Sequence, residues 1–186
     1  MSPEDKRLAN LLGAVATGLT DRMQDAAHDT AQLDGSDPAA LIALLDFTPD
    51  GTVQALSQIC GLTHSGGVRL VNRLAAAEYV ERRPGRDARS VTVTLTPAGR
   101  AVAHELRAAR HAAIAATMND LTTIQRGEVT KACAALISAL TAHRLARRTD
   151  GKSPAGGALC RLCDFGACQR AAGNCPAAFT ARSRSG

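Results

Sequence analysis

From Glu4 to about Leu33 the apolar residues Leu8, Leu11, Leu12, Val15, Leu19 and Met23 recur at spacings of three and four. That period lays them along one face of a long amphipathic helix whose other face is charged or polar. Gly35-Ser36-Asp37-Pro38 then reads as a helix start, with Asp37 as N-cap and Pro38 in the first helical position. A short apolar helix from Ala39 to Phe47 is closed by the turn Thr48-Pro49-Asp50-Gly51, and Thr52 can cap a second short helix, Val53 to Ile59. Cys60-Gly61-Leu62-Thr63 breaks the chain again: Gly61 suits the left-handed residue that ends one helix, and Thr63 the cap of the next. On that next helix, His64 to about Glu78, Val68, Leu70, Val71 and Leu74 mark the buried side, while Ser65, Gly66, Arg69 and Arg73 share an exposed one.

Two short helices joined by a tight turn, the second one basic, form the helix-turn-helix pattern. The period then changes from that of a helix to that of a strand. Tyr79-Val80-Glu81-Arg82-Arg83 starts a strand, Pro84-Gly85-Arg86-Asp87-Ala88-Arg89 is a polar turn, and Ser90 to Thr96 alternates apolar and hydroxyl residues. A hairpin tip carrying Arg82, Arg83, Arg86 and Arg89 can reach a minor groove while the preceding helix lies in the adjacent major groove. Thr96-Pro97 opens a helix to about Met118, and Thr122-x-x-Gln125 resembles a capping box opening a last helix to about Arg148. Its apolar face carries Val129, Cys133, Leu136, Ile137 and Leu140. At ~1.5 Å per residue that helix is roughly 40 Å long, more than a small domain needs to cover its own core. Long apolar-faced helices at both ends of the chain point to a shared dimer interface, against the alternative of a monomeric bundle.

Composition narrows this picture. Of 186 residues 45% are hydrophobic, yet aromatics are only 2%, namely three Phe, one Tyr and no Trp. The core must therefore be built from Leu, Val, Ile and Ala, which favours packed helices. Single-stranded nucleic-acid binders need aromatic stacking platforms, and this chain barely has any. The net charge of +5 is unevenly spread: residues 1–60 hold three basic and nine acidic side chains, and residues 61–100 hold seven Arg and three acids. An Arg-rich middle suits a polyanionic partner, though an ordinary solvated face has the same composition. The opening MSPEDKRLAN does not read as a secretory signal and no run approaches the roughly 18 apolar residues of a membrane span, so a cytoplasmic protein is expected.

The arrangement resembles the MarR family of winged helix-turn-helix transcriptional regulators. The likeness rests on LSQICGLTHSGGVRLVNRLAAAEYVERR and on Asp87-x-Arg89-x-x-x-Val93-x-Leu95-Thr96-x-x-Gly99, and spans roughly residues 4 to 148. It implies a mainly α fold with a small β-hairpin wing, in which dimerisation helices (about 4–34 and 97–148) flank a DNA-reading head (about 38–96). It also implies a homodimer on a palindromic double-stranded operator, and a small-molecule effector. In this reading Arg89 is the wing arginine, Asp87 orients the wing, Arg86 joins them at the tip, and Thr63, His64, Ser65, Arg69 and Arg73 contact phosphates and bases. Arg69, Arg73 and His64 are open to a second reading as solvated helix residues. Gly66 and Gly67, costing ~1 kcal/mol each in a helix, either permit close approach to the backbone of DNA or are simply tolerated.

Residues 149–186 depart from that pattern. A linker composition, Thr149 to Gly157, leads into Cys160, Cys163, Cys168 and Cys175 at the spacing C-x2-C-x4-C-x6-C. Four thiolates satisfy a tetrahedral Zn²⁺ or an iron–sulfur cluster. Zn²⁺ is the expected ion, with Arg161 and Arg170 offsetting charge; the final Cys-Pro keeps a cluster as the alternative. Cys60 and Cys133 sit in apolar helical contexts and are expected in the core. No catalytic triad, paired carboxylates or phosphate loop appears, and GTVQALSQICG lacks the lysine such a loop requires, so no enzyme is expected. The expected function is a non-enzymatic transcriptional regulator, a repressor, with a structural or sensory four-cysteine metal site. The competing reading is a metal- or redox-handling protein whose winged helix serves protein contacts.

Overall fold

A computed structural model describes residues 1–85, 91–149 and 156–184. In chain order these form α1 (Pro3–Ala31), α2 (Asp37–Asp46), β1 (Gly51–Thr52), α3 (Val53–Cys60), α4 (His64–Ala76), β2 (Val80–Pro84), β3 (Val91–Leu95), α5 (Pro97–Ala116), α6 (Thr123–Thr149) and α7 (Pro176–Ser183). The chain is mainly helical, with one small antiparallel sheet, as its hydrophobic pattern predicts.

Capping chemistry sets most of the helix starts. Ser2 and Asp5 form a reciprocal box on α1, the serine hydroxyl accepting from the Asp5 N–H at 3.0 Å and the carboxylate from the Ser2 N–H at 2.9 Å. Thr52, Thr63 and Thr96 cap α3, α4 and α5 by accepting from the N–H three residues on. Thr122 and Gln125 form the anticipated box before α6. Gly61 ends α3 at φ 72°, in the left-handed region. One cap differs: Ser36 precedes α2, and Asp37 is already its first helical residue, which frees its carboxylate for another role.

The sheet runs β1-β3-β2, with Val80 opposite Leu95 and Arg82 opposite Val93 on one side of β3, and Gly51 opposite Val93 on the other. The short strand β1 occupies what local pattern presents as the end of a turn. The core sits under α2, whose residues from Asp37 to Leu44 are all buried, against Leu56, Leu70, Val71, Leu74, Val93 and Leu106. α5 packs against both α1 and α2. The helix-turn-helix and sheet are therefore joined through α5 to α1.

Two glycines mark places where neighbouring elements come too close for a side chain. A Cβ on Gly99 would stand 1.8 Å from the Tyr79 carbonyl oxygen, which accepts the Thr96 N–H at 3.1 Å. The Thr96-x-x-Gly99 signature is thus the cap of α5 pressed onto the end of the reading head. Gly99→Ala is expected to cost about 2–3 kcal/mol, because the atom it meets is fixed backbone. Chemical denaturation checks this, and a variant as stable as the parent contradicts it. Gly67 has the same kind of cause: a Cβ there would lie 1.8 Å from the Ser57 hydroxyl on α3, so it serves the α3–α4 crossing.

The N-terminal half of α1 and much of α6 leave their apolar faces in water. Leu8, Leu11, Leu12 and Val15 are exposed on α1, as are Ile124, Val129, Leu136 and Leu140 on α6. Cys133, expected in the core, is exposed on α6, because that helix packs mainly on α7.

Candidate nucleic-acid interface and cysteine module

α4 presents its first turns to solvent. Thr63 accepts the Gly66 N–H at 3.1 Å and lies 3.2 Å from the Ser65 hydroxyl, which orders the start of the helix. His64, Ser65 and Arg69 stand exposed beside it. The open N–H groups and the helix dipole at this end favour an anion. Arg82 on β2 donates to the Asn72 amide oxygen at 2.5 Å, tying the strand to α4, and Arg83 reaches Glu81 through its Nε at 2.8 Å. The cationic strand start is thereby held alongside the helix. Arg86, Asp87 and Arg89 lie outside the described residues.

Arg73 is engaged differently from its neighbours. Its Nη2 and Nε donate to the two carboxylate oxygens of Asp37 at 2.5 and 3.3 Å. The Asp37 side chain is only 10% exposed while that of Arg73 is 59% exposed, and the bidentate bond holds the guanidinium pKa above its ordinary value. The pair bolts α4 to the start of α2, so Arg73 positions α4. Sequence pattern assigns Asp37 to a cap and hides this partnership, which spans 36 residues.

Behind the reading face a cleft of about 390 Å³ opens between α1, α2 and α5. Met23, Ala27 and Ile42 supply apolar walls, and Arg110, Arg161 and Asp34 supply charge, one positive unit in excess. The Arg110 Nε is buried and has no hydrogen-bond partner among the described residues. An unpaired buried donor of this kind suits an anion.

Arg161 belongs to residues 156–184, which fold back over the head. The Ala158 N–H donates to the Ile59 carbonyl at 2.7 Å. Leu162 packs against the main core, and Phe165 meets Phe47 at the end of α2 with ring centroids 5.6 Å apart. Arg170 stacks over the Phe165 ring at 4.4 Å. Arg107 on α5 bonds Asp46 at 2.7 Å and approaches Asp164 at 3.7 Å. α7 then lies against α6, with Cys175 as its N-cap and Pro176 in its first turn. Two of the three phenylalanines are spent on this docking, a use for scarce aromatics that the sequence pattern leaves unassigned.

The four clustered thiols are neighbours. Cys163 hydrogen-bonds Cys160, which holds the Cys160 thiol below its ordinary range and pushes that of Cys163 up. Cys168 hydrogen-bonds Cys163, and its own thiol is raised mainly by burial. Cys175, buried, lies close enough to interact electrostatically with Cys160 and Cys168. Arg170 bears on Cys160 and Arg110 on Cys163, each favouring thiolate. Among the described residues no three His, Cys, Asp or Glu stand in the arrangement of a metal site. Cys60 stands apart in the core, its thiol pushed up to about 11 by burial.

A model of the MarR family matches residues 31–90. The chain is similar in structure to a MarR family protein from Bacillus stearothermophilus, at 23% identity and TM-score 0.67, covering 76% of this chain and 99% of that one. It is also similar to a Mycobacterium tuberculosis MarR family protein in complex with p-aminosalicylic acid, at 26% identity and TM-score 0.54, covering 69% of this chain and 97% of that one. CouR from Rhodococcus jostii, bound to p-coumaroyl-CoA, is 18% identical with TM-score 0.53, covering 69% of this chain and 90% of that one. None of the curated proteins compared matches the chain. The fold is the winged helix of MarR proteins.

Proposed function

We propose that this chain is a MarR-type transcriptional regulator that binds double-stranded operator DNA as a homodimer and represses transcription in the cytoplasm, without enzymatic activity. The observation that carries the reading is the exposed α4 face, with His64, Ser65 and Arg69 open to water and Arg82 tied to Asn72 beside it. Thr63 and Ser65 offer hydroxyls to phosphate, Arg69 reaches base edges, and the wing residues Arg86 and Arg89, oriented by Asp87, contact the flanking minor groove. Arg73 contributes by holding α4 on Asp37. The uncovered faces of α1 and α6 supply the dimer contact, which sets two heads at half-site spacing on a palindromic operator. Among the described residues no helix is long and apolar enough to cross a membrane.

The cleft is the place for an effector. Its charge from Arg110 and Arg161 on apolar walls selects a small organic anion. Relatives are described with p-aminosalicylic acid and with p-coumaroyl-CoA bound.

Cys160, Cys163, Cys168 and Cys175 are the ligands of a metal ion, Zn²⁺ in preference to an iron–sulfur cluster. The reading rests on the spacing of the four cysteines and on the charges of Arg110 and Arg170 beside the thiols, while among the described residues no three His, Cys, Asp or Glu stand in the arrangement of a metal site. A Zn²⁺ held by these residues would cross-link them with no redox chemistry of its own. The chain's own part is to hold the sulfurs together and to balance their charge.

Titration of the full-length protein against a pool of duplexes of about 30 base pairs selected from random sequence tests the DNA reading. Wild type is expected to enrich a symmetric site, and Arg69→Ala to bind it at least ~10-fold more weakly, as expected for losing a base contact. Equal affinity of the two proteins sinks the assignment of α4.

A further inference from the structure

We propose that the C-terminal segment completes the effector cleft: Arg161 is the second of two guanidiniums on the acid group of an apolar monocarboxylate, and it ties that acid to the end of α3. This rests on the effector reading of the cleft above, and names the residue and the route by which occupancy reaches the helix-turn-helix.

The cleft between α1, α2 and α5 is closed on one side by Arg161 and Leu162 of the segment that follows α6. Leu162 packs against the main core, so this wall is seated. Arg110 enters from α5 with a buried Nε that has no partner among the described residues. Arg161 enters from the segment and donates through Nη1 to the Ala158 carbonyl at 2.9 Å, its one hydrogen-bonded acceptor among the described residues. A guanidinium carries its N–H groups in a fixed fork that matches a carboxylate, so both side chains keep donors for one. Asp34 stands on the rim with its side chain 76% exposed and 3.3 Å from His28, and the lining as a whole carries one positive unit in excess. One carboxylate balances that charge, whereas a neutral ligand leaves both forks short of an acceptor. Met23, Ala27, Ile42 and Leu106 line the rest of about 390 Å³, which suits an aryl or alkyl body.

The bonds that hold Arg161 lead to the helix-turn-helix. The Ala158 carbonyl accepts from Arg161, and the Ala158 N–H donates to the Ile59 carbonyl at 2.7 Å in the last turn of α3. Gly157 is seated against the same turn: a Cβ there would stand 2.2 Å from the Ile59 oxygen and 2.6 Å from the Gly61 nitrogen. Arg144 on α6 donates to the Gly157 carbonyl. Cys60, between Ile59 and Gly61, itself lines the cleft, and the Arg161 charge bears on its thiol. An acid on Arg161 is thus joined through one residue, Ala158, to the end of α3. Shared with Arg110, it adds a bridge from α5 to that point.

The test titrates the full chain with naphthoate, with octanoate and with neutral naphthamide, reading affinity by calorimetry and the exchange of the Ala158 amide. Wild type is expected to bind both acids, and the amide at least ~10-fold more weakly, the usual size of a lost charge-assisted hydrogen bond. Arg161→Met keeps the apolar stem; it is expected to lose about 10-fold or more for the acids with little change for the amide. Arg161→Lys is expected to regain part of that loss. Arg110→Met should show the same split, and the double variant should lose less than the product of the singles, because both arms hold one carboxylate. Bound acid is expected to slow Ala158 exchange in wild type and to leave it unchanged in Arg161→Met. Acid affinity indifferent to Arg161→Met overturns the assignment, as does an equal loss for acid and amide, or a wild-type Ala158 amide indifferent to bound acid. Absence of acid binding to every form instead fails the effector reading of the cleft, and this proposal with it.

Discussion

Leu12→Asp combined with Leu136→Asp is expected to turn a dimer into monomers and to weaken duplex binding by roughly 10²-fold or more. Both side chains are 41% exposed in the single chain, on α1 and α6, in apolar rows that include Leu8 at 57% and Leu140 at 50%. An amphipathic helix is stabilised by covering such a row, and each Leu fully buried contributes ~1.5–3 kcal/mol. A carboxylate placed in an apolar seam resists leaving water. Each protomer should still fold, because neither residue belongs to the core cluster around Leu41 and Leu70. The affinity loss follows from valency: two linked heads gain ~10²–10⁴ over one. Sedimentation velocity and fluorescence anisotropy read the two effects together. A variant that stays dimeric, or a monomer that binds duplex as tightly as wild type, contradicts the assignment of these faces.

Raising the salt concentration from about 50 to about 200 mM is expected to lower duplex affinity by ~10³-fold or more. The reading head carries Arg69, Arg82, Arg86 and Arg89 besides Arg73, which is committed to Asp37, and Arg83, which is paired with Glu81. Two heads that each neutralise three to five phosphates make roughly six to ten contacts, and releasing that many counterions gives a loss of ~10³–10⁵ over this interval. Anisotropy at several salt concentrations gives the slope. A slope near zero would mean that the arginines face water or protein, and that the winged helix serves another partner.

Local chemistry makes the helical frame legible in the sequence. Thr52, Gly61, Thr63 and Thr96 all do what their positions announce, since a cap depends on residues close together in the chain. The pairing of Gly51–Thr52 with β3 is not legible there, because it joins residues far apart in the chain and leaves no period in a two-residue strand. Asp37 illustrates the same limit: next to Pro38 it looks like a cap, yet its carboxylate is claimed by Arg73 on another helix. Pro176 after Cys175 resembles a ligand motif but is also the first residue of α7, and one signal hides the other. Sequence leaves Gly66 and Gly67 open between DNA approach and tolerance; packing on Ser57 accounts for Gly67, and only a tertiary contact reveals it. At the interface, α4 is legible because a basic helix after a tight turn is a local feature. The docking of the cysteine module is not, because the stretch between Thr149 and Gly157 reads as a linker while Gly157 is itself the point of contact.

In the proposed complex two copies of this chain read one duplex with paired α4 helices. A stoichiometric titration of labelled symmetric duplex, held well above its dissociation constant, decides whether they do. Saturation is expected at two chains per duplex, with single-stranded DNA of the same sequence failing to compete. Saturation at one chain per duplex, or equal competition by the single strand, would contradict paired reading.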